Sequence, residues 1–187
     1  MPQFQWNINL VFRSVAIPTV PEFTALANAQ SVYAKYLIKL EFASGSSMRL
    51  SSHDQLELDA SDGTCQWNQA SDEQKVLNSM GGRQDVGPLD VLVYYVNGIK
   101  QKDGSALNGC AGHVPGQPTV VVSSIASRWT LGHELCHVLL GPDFTPVHST
   151  DPTNLMFTPT NNITADPPSL TQEQVAAVRN SKYCTPI

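Results

Sequence analysis

The sequence predicts an α/β fold in which one mixed, twisted sheet is covered by helices. Two segments carry most of this prediction: a mostly apolar run at Leu89–Val96 and an amphipathic stretch at Leu170–Arg179. The apolar run is typical of a central strand, because a strand buried on both faces carries apolar residues without interruption. Strand-like segments alternate with helix-like ones and come before the last helices, which favours layers of sheet and helix over a bundle or a barrel.

The individual elements follow from hydrophobic periodicity and from the residues at their ends. Strands are predicted at Phe4–Phe12, Lys35–Phe42, Met48–Leu50, Leu89–Val96 and Thr119–Val122. Helices are predicted at Phe23–Tyr36, Asp72–Met80, Ile125–Leu140 and Leu170–Arg179. Ser123 or Ser124 is predicted to cap the third helix, and Gly141 to end it in a left-handed conformation. Thr171 is predicted to cap the last helix.

Length and composition exclude several classes of protein. A chain of 187 residues with 41% hydrophobic residues suits one domain, here 1–187 with a larger part at about 1–140 and a small part at about 141–187. Only 11 Lys and Arg residues and a net charge of −5 argue against a nucleic-acid partner. The longest apolar run, Val91–Val96, is far shorter than the roughly 18 residues of a membrane helix. We therefore expect a monomer that neither spans a membrane nor binds nucleic acid.

The cysteines give information on the cellular compartment, because disulfides form in oxidising compartments. Cys65, Cys110, Cys136 and Cys184 lie far apart and form no Cys-x-x-Cys pair, which argues against a thiolate zinc site. They could form two disulfides in any of three pairings, or remain four thiols. No basic stretch followed by an apolar core is seen at the N-terminus. Disulfides would favour a secreted, extracellular protein.

The candidate chemistry lies in residues 133–137, which read His-Glu-x-x-His within the third predicted helix. A helix turns about 100° per residue, so His133 and His137 project from one face, one turn apart. Two imidazoles at that separation can bind the same tetrahedral zinc ion. Glu134 beside them can take a proton from a metal-activated water. The alternative is accidental spacing on a core helix.

This helix and residues 148–156, which read His-Ser-Thr-Asp-Pro-Thr-Asn-Leu-Met, resemble the metzincins, in particular the matrixin-like bacterial group. That family carries His-Glu-x-x-His-x-x-Gly-x-x-His, followed by a turn whose methionine lies beneath the metal. The resemblance covers residues 110–184. It implies an α+β zincin-like fold with an antiparallel edge strand, an active-site helix, a C-terminal helix and a Met-turn at Met156.

The sequence leaves the identity of the third zinc ligand undecided. Asp143 has the family's spacing from the helix, and His148 has the family's spacing to Met156 and the ligand type that most matrixins use. His148 is preferred, with Asp143 as the runner-up. Glu173, on the last helix, is a third option that would match the glutamate ligand of thermolysin-like enzymes.

The resemblance also implies a peptide lying antiparallel to an edge strand near residues 108–112. The substrate-binding residues would be Asn108, Gly109, Ala111 and Gly112. The loop Phe157–Pro168 would then wall the pocket beyond the cleaved bond.

Further metal sites and one disulfide pairing are lesser expectations. His113 could ligate a second, structural zinc, as a histidine on the comparable loop does in matrixins, or it could be a rim histidine. Asp59, Asp62 and Asp85 could suggest calcium, although their spacing matches no calcium loop. Cys136 is expected to point away from the metal face, and it could be joined to Cys184.

The predicted function is that of a zinc-dependent endopeptidase of the metzincin type. It would hydrolyse peptide bonds of protein or peptide substrates through a metal-activated water, with Glu134 as general base. The alternative is a zinc-binding effector or toxin module that binds its partner without cleaving it.

Overall fold

The computed structural model describes residues 3–48, 61–62, 65, 67, 69–81, 83–101 and 103–187. Its helices are α1 (Glu22–Tyr33), α2 (Asp72–Gly81), α3 (Thr130–Leu140) and α4 (Gln172–Asn180). Its strands are β1 (Trp6–Ser14), β2 (Ile38–Ser47), β3 (Ser61–Asp62), β4 (Val91–Val96), β5 (Ile99–Lys100), β6 (Ala106–Leu107), β7 (Gly109–Cys110), β8 (Thr119–Ser123) and β9 (Thr185–Pro186).

The main sheet is mixed and has the strand order β2-β1-β4-β8-β7. The first four of these strands run parallel to their neighbours, whereas β7 pairs antiparallel with β8 at one end of the sheet. The short β9 pairs antiparallel with β1. A separate small sheet has the order β3-β5-β6. The predicted mixed sheet with an antiparallel edge strand is thus confirmed.

The central strand β4 separates two parts of the hydrophobic core. All its residues are buried, as the unbroken apolar run predicts. Val93 lies in the larger cluster, to which α1 and α3 contribute, and Tyr94 lies in the smaller cluster with Leu77 of α2. Each fully buried side chain of this size stabilises the fold by about 1.5–3 kcal/mol. The sheet is therefore covered on both faces, with α3 fixed against one of them.

The start of α3 differs from the prediction. The helix begins at Thr130, and neither Ser123 nor Ser124 caps it. Ser123 is still the last residue of β8, and the Ser124 hydroxyl donates a hydrogen bond to the carbonyl of Asn97 at 2.6 Å. The helix ends before Gly141, as predicted, but Gly141 has a φ of 82° and a ψ of 173°, so it does not adopt the predicted left-handed helical conformation.

The other elements agree with the prediction apart from their ends. Thr171 caps α4 in a capping box with Gln174, although the helix itself begins at Gln172. The first predicted helix ends in a short 3-10 turn, and Leu37, at a φ of 60°, separates that turn from β2. Met48 follows the end of β2, and the rest of the strand predicted there lies outside the described residues. In the described part of the chain, none of the helices combines the length and apolar character needed to cross a membrane.

Candidate active site

Helix α3 is held against α1 by a close approach at Gly132. A Cβ atom added there would lie 3.4 Å from the Cβ of Ala29, in ordinary van der Waals contact. The hydroxyl of Tyr33 donates a hydrogen bond to the Gly132 carbonyl at 3.1 Å. These contacts fix the position of the helix, and with it the direction of the side chains that follow Gly132.

Three histidines converge on one point. His133 and His137 project from the same face of α3, as their spacing predicts, and His148 reaches them from the loop that follows the helix. The Nε2 atom of His137 lies 3.1 Å from that of His133 and 3.2 Å from that of His148. Nitrogens bound to one tetrahedral zinc at about 2.0–2.1 Å lie roughly 3.3 Å apart. The donor set therefore fits a zinc ion.

The protonation of the histidines also suits metal binding, which requires neutral imidazoles. Burial lowers the pKa of His133 to about 4, against the opposing effect of its hydrogen bond to Leu155. Burial, together with the neighbouring histidines, lowers the pKa of His137, and burial also lowers that of His148. All three rings are therefore neutral near pH 7.

The turn around Met156 orients the first histidine. The carbonyl of Leu155 lies 2.8 Å from Nδ1 of His133. A carbonyl only accepts, so Nδ1 carries the proton and, in the neutral ring, Nε2 keeps its lone pair for the centre of the triad. Met156 is completely buried in the core cluster that includes α3. The turn around Met156 therefore contacts His133 through the carbonyl of Leu155.

Asn154 ties this turn together, and the sequence analysis did not single it out. Its side-chain oxygen accepts a hydrogen bond from the Met156 backbone at 2.8 Å, and its amide donates to Gln174 at 2.9 Å. Gln174 is also the capping-box residue of α4. The turn is therefore anchored to the C-terminal helix. The Asn-Leu-Met order gave a local hint of the turn, but nothing in the sequence indicated the partner.

Glu134 lies beside the histidines and is almost completely buried. Burial raises the pKa of this carboxyl group to about 8. Gly109 of β7 packs directly on it, since a Cβ atom at that glycine would lie 2.5 Å from Cγ of Glu134. The absence of a side chain at residue 109 leaves the space that the glutamate occupies.

The three histidines and Glu134 line one cleft of about 570 Å³. Its walls also include the predicted substrate-binding residues Asn108, Gly109 and Ala111. Gly112 lies outside this lining, because it is buried against the backbone of Cys65 and Gln69. The cleft falls in the size range of ordinary ligand sites, about 300–1,000 Å³.

The remaining candidate ligands lie elsewhere. Asp143 and Glu173 are exposed and do not belong to the metal-capable group formed by the three histidines among the described residues. His113 is buried, with Nδ1 2.8 Å from the carbonyl of Ala111 and its ring against Trp67. Asp85 forms an ion pair with Arg13. Nothing in this arrangement supports a second zinc or a calcium ion at His113 or Asp85. Asp59 and the side chain of Asp62 lie outside the described residues.

One of the possible disulfides is present. Cys65 and Cys110 are bonded, which joins the segment before α2 to the edge strand β7. Cys136 and Cys184 are buried free thiols. The suggested Cys136–Cys184 bond is therefore not formed in this structure, although Cys136 does point into the core beside Tyr33, away from the histidines.

Comparisons with known proteins bear on the fold. No protein-family model matches the chain, and no curated protein matches its sequence. Among solved structures, metalloproteinase-II from Bacteroides fragilis is similar, with a TM-score of 0.61 and 12% identity over 95% of this chain and 53% of that one. This chain thus spans about half the length of the Bacteroides protein.

Two archaemetzincins are also similar in structure. The protein from Methanopyrus kandleri gives a TM-score of 0.55 at 13% identity, covering 92% of this chain and 94% of that one. The protein from Archaeoglobus fulgidus, solved with malonate, gives 0.51 at 15% identity, covering 91% and 99%. At such low identity the similarity shows the fold. The chain shares the fold of these three proteins, which confirms the expected zincin-like architecture.

Proposed function

We propose that the protein is a zinc-dependent endopeptidase, with His133, His137 and His148 as zinc ligands and Glu134 as general base. The observation that carries this proposal is the convergence of three neutral imidazoles beside a buried carboxyl group in an open cleft. The fold shared with a protein named as a metalloproteinase and with two archaemetzincins supports the same conclusion. Membership of the matrixin-like group and secretion stay predictions, and the Cys65–Cys110 disulfide is consistent with an oxidising compartment.

The roles of the side chains follow from their positions. Zinc bound by the triad would supply Lewis-acid chemistry, polarising the scissile carbonyl and making water nucleophilic near neutral pH. The Leu155 carbonyl holds His133 in the tautomer that directs Nε2 to the metal position. Glu134 would take the proton from the attacking water and deliver it to the leaving amine. The positive charge of a bound zinc ion would lower the pKa of the Glu134 carboxyl group and so hold it ionised, against the effect of burial.

The edge strand β7 gives the substrate a place to bind. It is the last strand in the order of the main sheet, and its Gly109 contacts Glu134. An extended peptide that adds to such an edge forms main-chain hydrogen bonds with it. The scissile bond would then lie between β7 and the histidines. Asn108, Gly109 and Ala111 are the proposed contacts, and protein or peptide chains are the proposed substrates.

Glu134→Gln tests this function. Loss of the carboxylate removes the base but none of the zinc ligands. We expect zinc content to persist and peptide cleavage to fall by about 10²–10⁴-fold. The measurement is zinc stoichiometry together with the turnover of a mixed peptide library.

Glu173→Gln is the matched control, since this exposed glutamate on α4 lies outside the cleft lining. This variant should leave both the zinc content and the rate of peptide cleavage unchanged. Full activity in Glu134→Gln would contradict the proposed base. A zinc-loaded wild type that cleaves nothing would instead favour the alternative, a module that binds without cleaving.

A further inference from the structure

A cluster of polar side chains joins the two sides of the cleft next to Glu134. We call it the polar clasp; it consists of Asn108, Ser127, Thr130, Thr160 and Asn161. Thr130 is the first residue of α3 and Ser127 lies three residues before it. Asn108 directly precedes β7, and the other two residues lie in the loop 157–168. The clasp therefore joins three separate parts of the chain.

Hydrogen bonds connect every member of the clasp. Oγ1 of Thr160 lies 2.9 Å from the hydroxyl oxygens of both Thr130 and Ser127. The side-chain amide of Asn108 donates to Oγ1 of Thr160 at 3.3 Å and to Oδ1 of Asn161 at 2.6 Å. Thr130 is completely buried and Thr160 is 5% exposed. Hydrogen-bonded side chains thus link the start of α3 to the loop 157–168, and Asn108, Thr160 and Asn161 also line the cleft.

The position of Glu134 relates the clasp to the cleaved bond. A Cβ atom at Gly109 would lie 2.5 Å from Cγ of Glu134 and 2.8 Å from Cγ2 of Thr130, so these three residues meet at one place. Glu134 must reach the leaving amine in order to protonate it. The residue on the amine side of the cleaved bond therefore lies next to Glu134, where the clasp bounds the cleft.

We propose that the polar clasp determines specificity by restricting the residue that follows the cleaved bond to a small side chain, such as Gly, Ala or Ser. This inference rests on the proposed peptidase function. A larger side chain at that position would have to separate Thr130 from Thr160 and leave buried hydroxyl groups without partners, which is unfavourable. The hydrogen bond between Asn108 and Asn161 also links two residues that line the cleft beside Glu134.

The test compares two peptides that differ only in having Ala or Leu after the cleaved bond. We expect the wild type to prefer Ala in kcat/KM by about tenfold or more, the scale of discrimination by pocket size. Thr160→Ala removes the central hydroxyl and should lower this preference by about tenfold. Asn161→Ala removes the exposed bridge alone, should fold normally, and should lower the preference less.

Asn162→Ala is the matched control, because this exposed neighbour lies outside the clasp. It should keep the wild-type preference. Binding of both peptides to zinc-loaded Glu134→Gln, measured by calorimetry, should rank them in the same order without any turnover.

The results distinguish failure of the specificity inference from failure of the proposed peptidase function. A wild type that cleaves in a Glu134-dependent manner but accepts Leu as readily as Ala would overturn this inference and leave the function standing. An unchanged preference in folded Thr160→Ala and Asn161→Ala would do the same. A zinc-loaded wild type that neither cleaves nor binds any peptide would remove both the function and the inference.

Discussion

The two rims of the cleft are held in place by different means. The ligand rim, formed by α3 and the loop 141–157, rests on the hydrophobic core and on hydrogen bonds by which Asn154 connects the loop to α4. The strand rim, formed by β7 with Cys65 and Trp67, depends on a disulfide and on a ring contact with His113. The difference suggests that metal binding and peptide binding can be perturbed separately.

The ligand rim itself has a firm part and an exposed part. His133 is buried and bonded to the Leu155 carbonyl, whereas His148 lies exposed on a loop. The helix thus presents two ligands in fixed directions before the third is added. The predictions below separate the rims, from the largest effect to the smallest.

Loss of a zinc ligand should have the largest effect. We expect His133→Ala and His148→Ala each to lower zinc affinity by more than the roughly 10–100-fold cost of losing an outer hydrogen-bond partner. His133→Ala should be the more severe, because it also leaves the buried Leu155 carbonyl without its partner. Zinc titration with a competing chelator measures both variants.

Asp143→Ala is the control for the loop. It removes the runner-up ligand from the same segment and should leave zinc affinity unchanged, because Asp143 lies outside the histidine group. Zinc loss in Asp143→Ala alone would overturn the choice of His148.

Breaking the disulfide should affect the strand rim and spare the metal. The Cys65–Cys110 bond spans 45 residues of sequence. Its reduction should lower the free energy of unfolding by about 2–4 kcal/mol. Zinc stoichiometry should not change, since the ligands lie on the other rim. Chemical denaturation with and without reductant measures the first effect, and metal analysis the second.

The double variant Cys65→Ser/Cys110→Ser provides the control. Reductant should have no further effect on its stability. Loss of zinc on reduction of the wild type would show that the two rims are coupled after all.

Asn154→Ala should weaken the ligand rim from within. It removes the hydrogen bonds to the Met156 backbone and to Gln174, and it should lower the free energy of unfolding by about 1–3 kcal/mol. Because the Leu155 carbonyl would then be held less firmly, zinc affinity should fall by about tenfold or more. Denaturation and zinc titration of the same sample measure the two effects, with Thr153→Ala as an exposed neighbouring control. Wild-type zinc affinity in Asn154→Ala would show that the turn does not position His133.

The smallest effect concerns the sheet beneath both rims and appears only at alkaline pH. Burial raises the pKa of Tyr94 to about 12, and the hydroxyl donates to the Leu77 carbonyl at 2.8 Å. The unfolded chain releases this proton near the ordinary pKa of about 10. The tyrosine therefore adds no pH dependence below pH 10, and stability is lost as the pH rises from about 10 towards 12. Tyr94→Phe should show a shallower loss of stability than the wild type between about pH 10 and 12, measured by urea unfolding across that range. Equal slopes would contradict this assignment.

The parts of the site that sequence predicted are those set by local periodicity. The helical repeat alone places His133 and His137 on one face of α3, and the apolar run at 91–96 indicates a central strand. Spacing to Met156 favoured His148, and the structure brings this residue to the other two histidines.

The parts that sequence missed depend on contacts between distant residues. The pairing of Asn154 with Gln174 cannot be inferred from either residue alone. The start of α3 was predicted too early because Ser123 and Ser124 are good capping residues in isolation. In the folded chain, one ends β8 and the other bonds to Asn97.

The most direct test of the zinc site is a crystal structure of the full chain grown with zinc, with anomalous data collected at the zinc edge. We predict one strong peak within about 2.0–2.1 Å of Nε2 of His133, His137 and His148. The carboxyl group of Glu134 should lie beside the peak without being a ligand. A peak at Asp143 instead of His148, or a histidine triad without zinc under these conditions, would contradict the account.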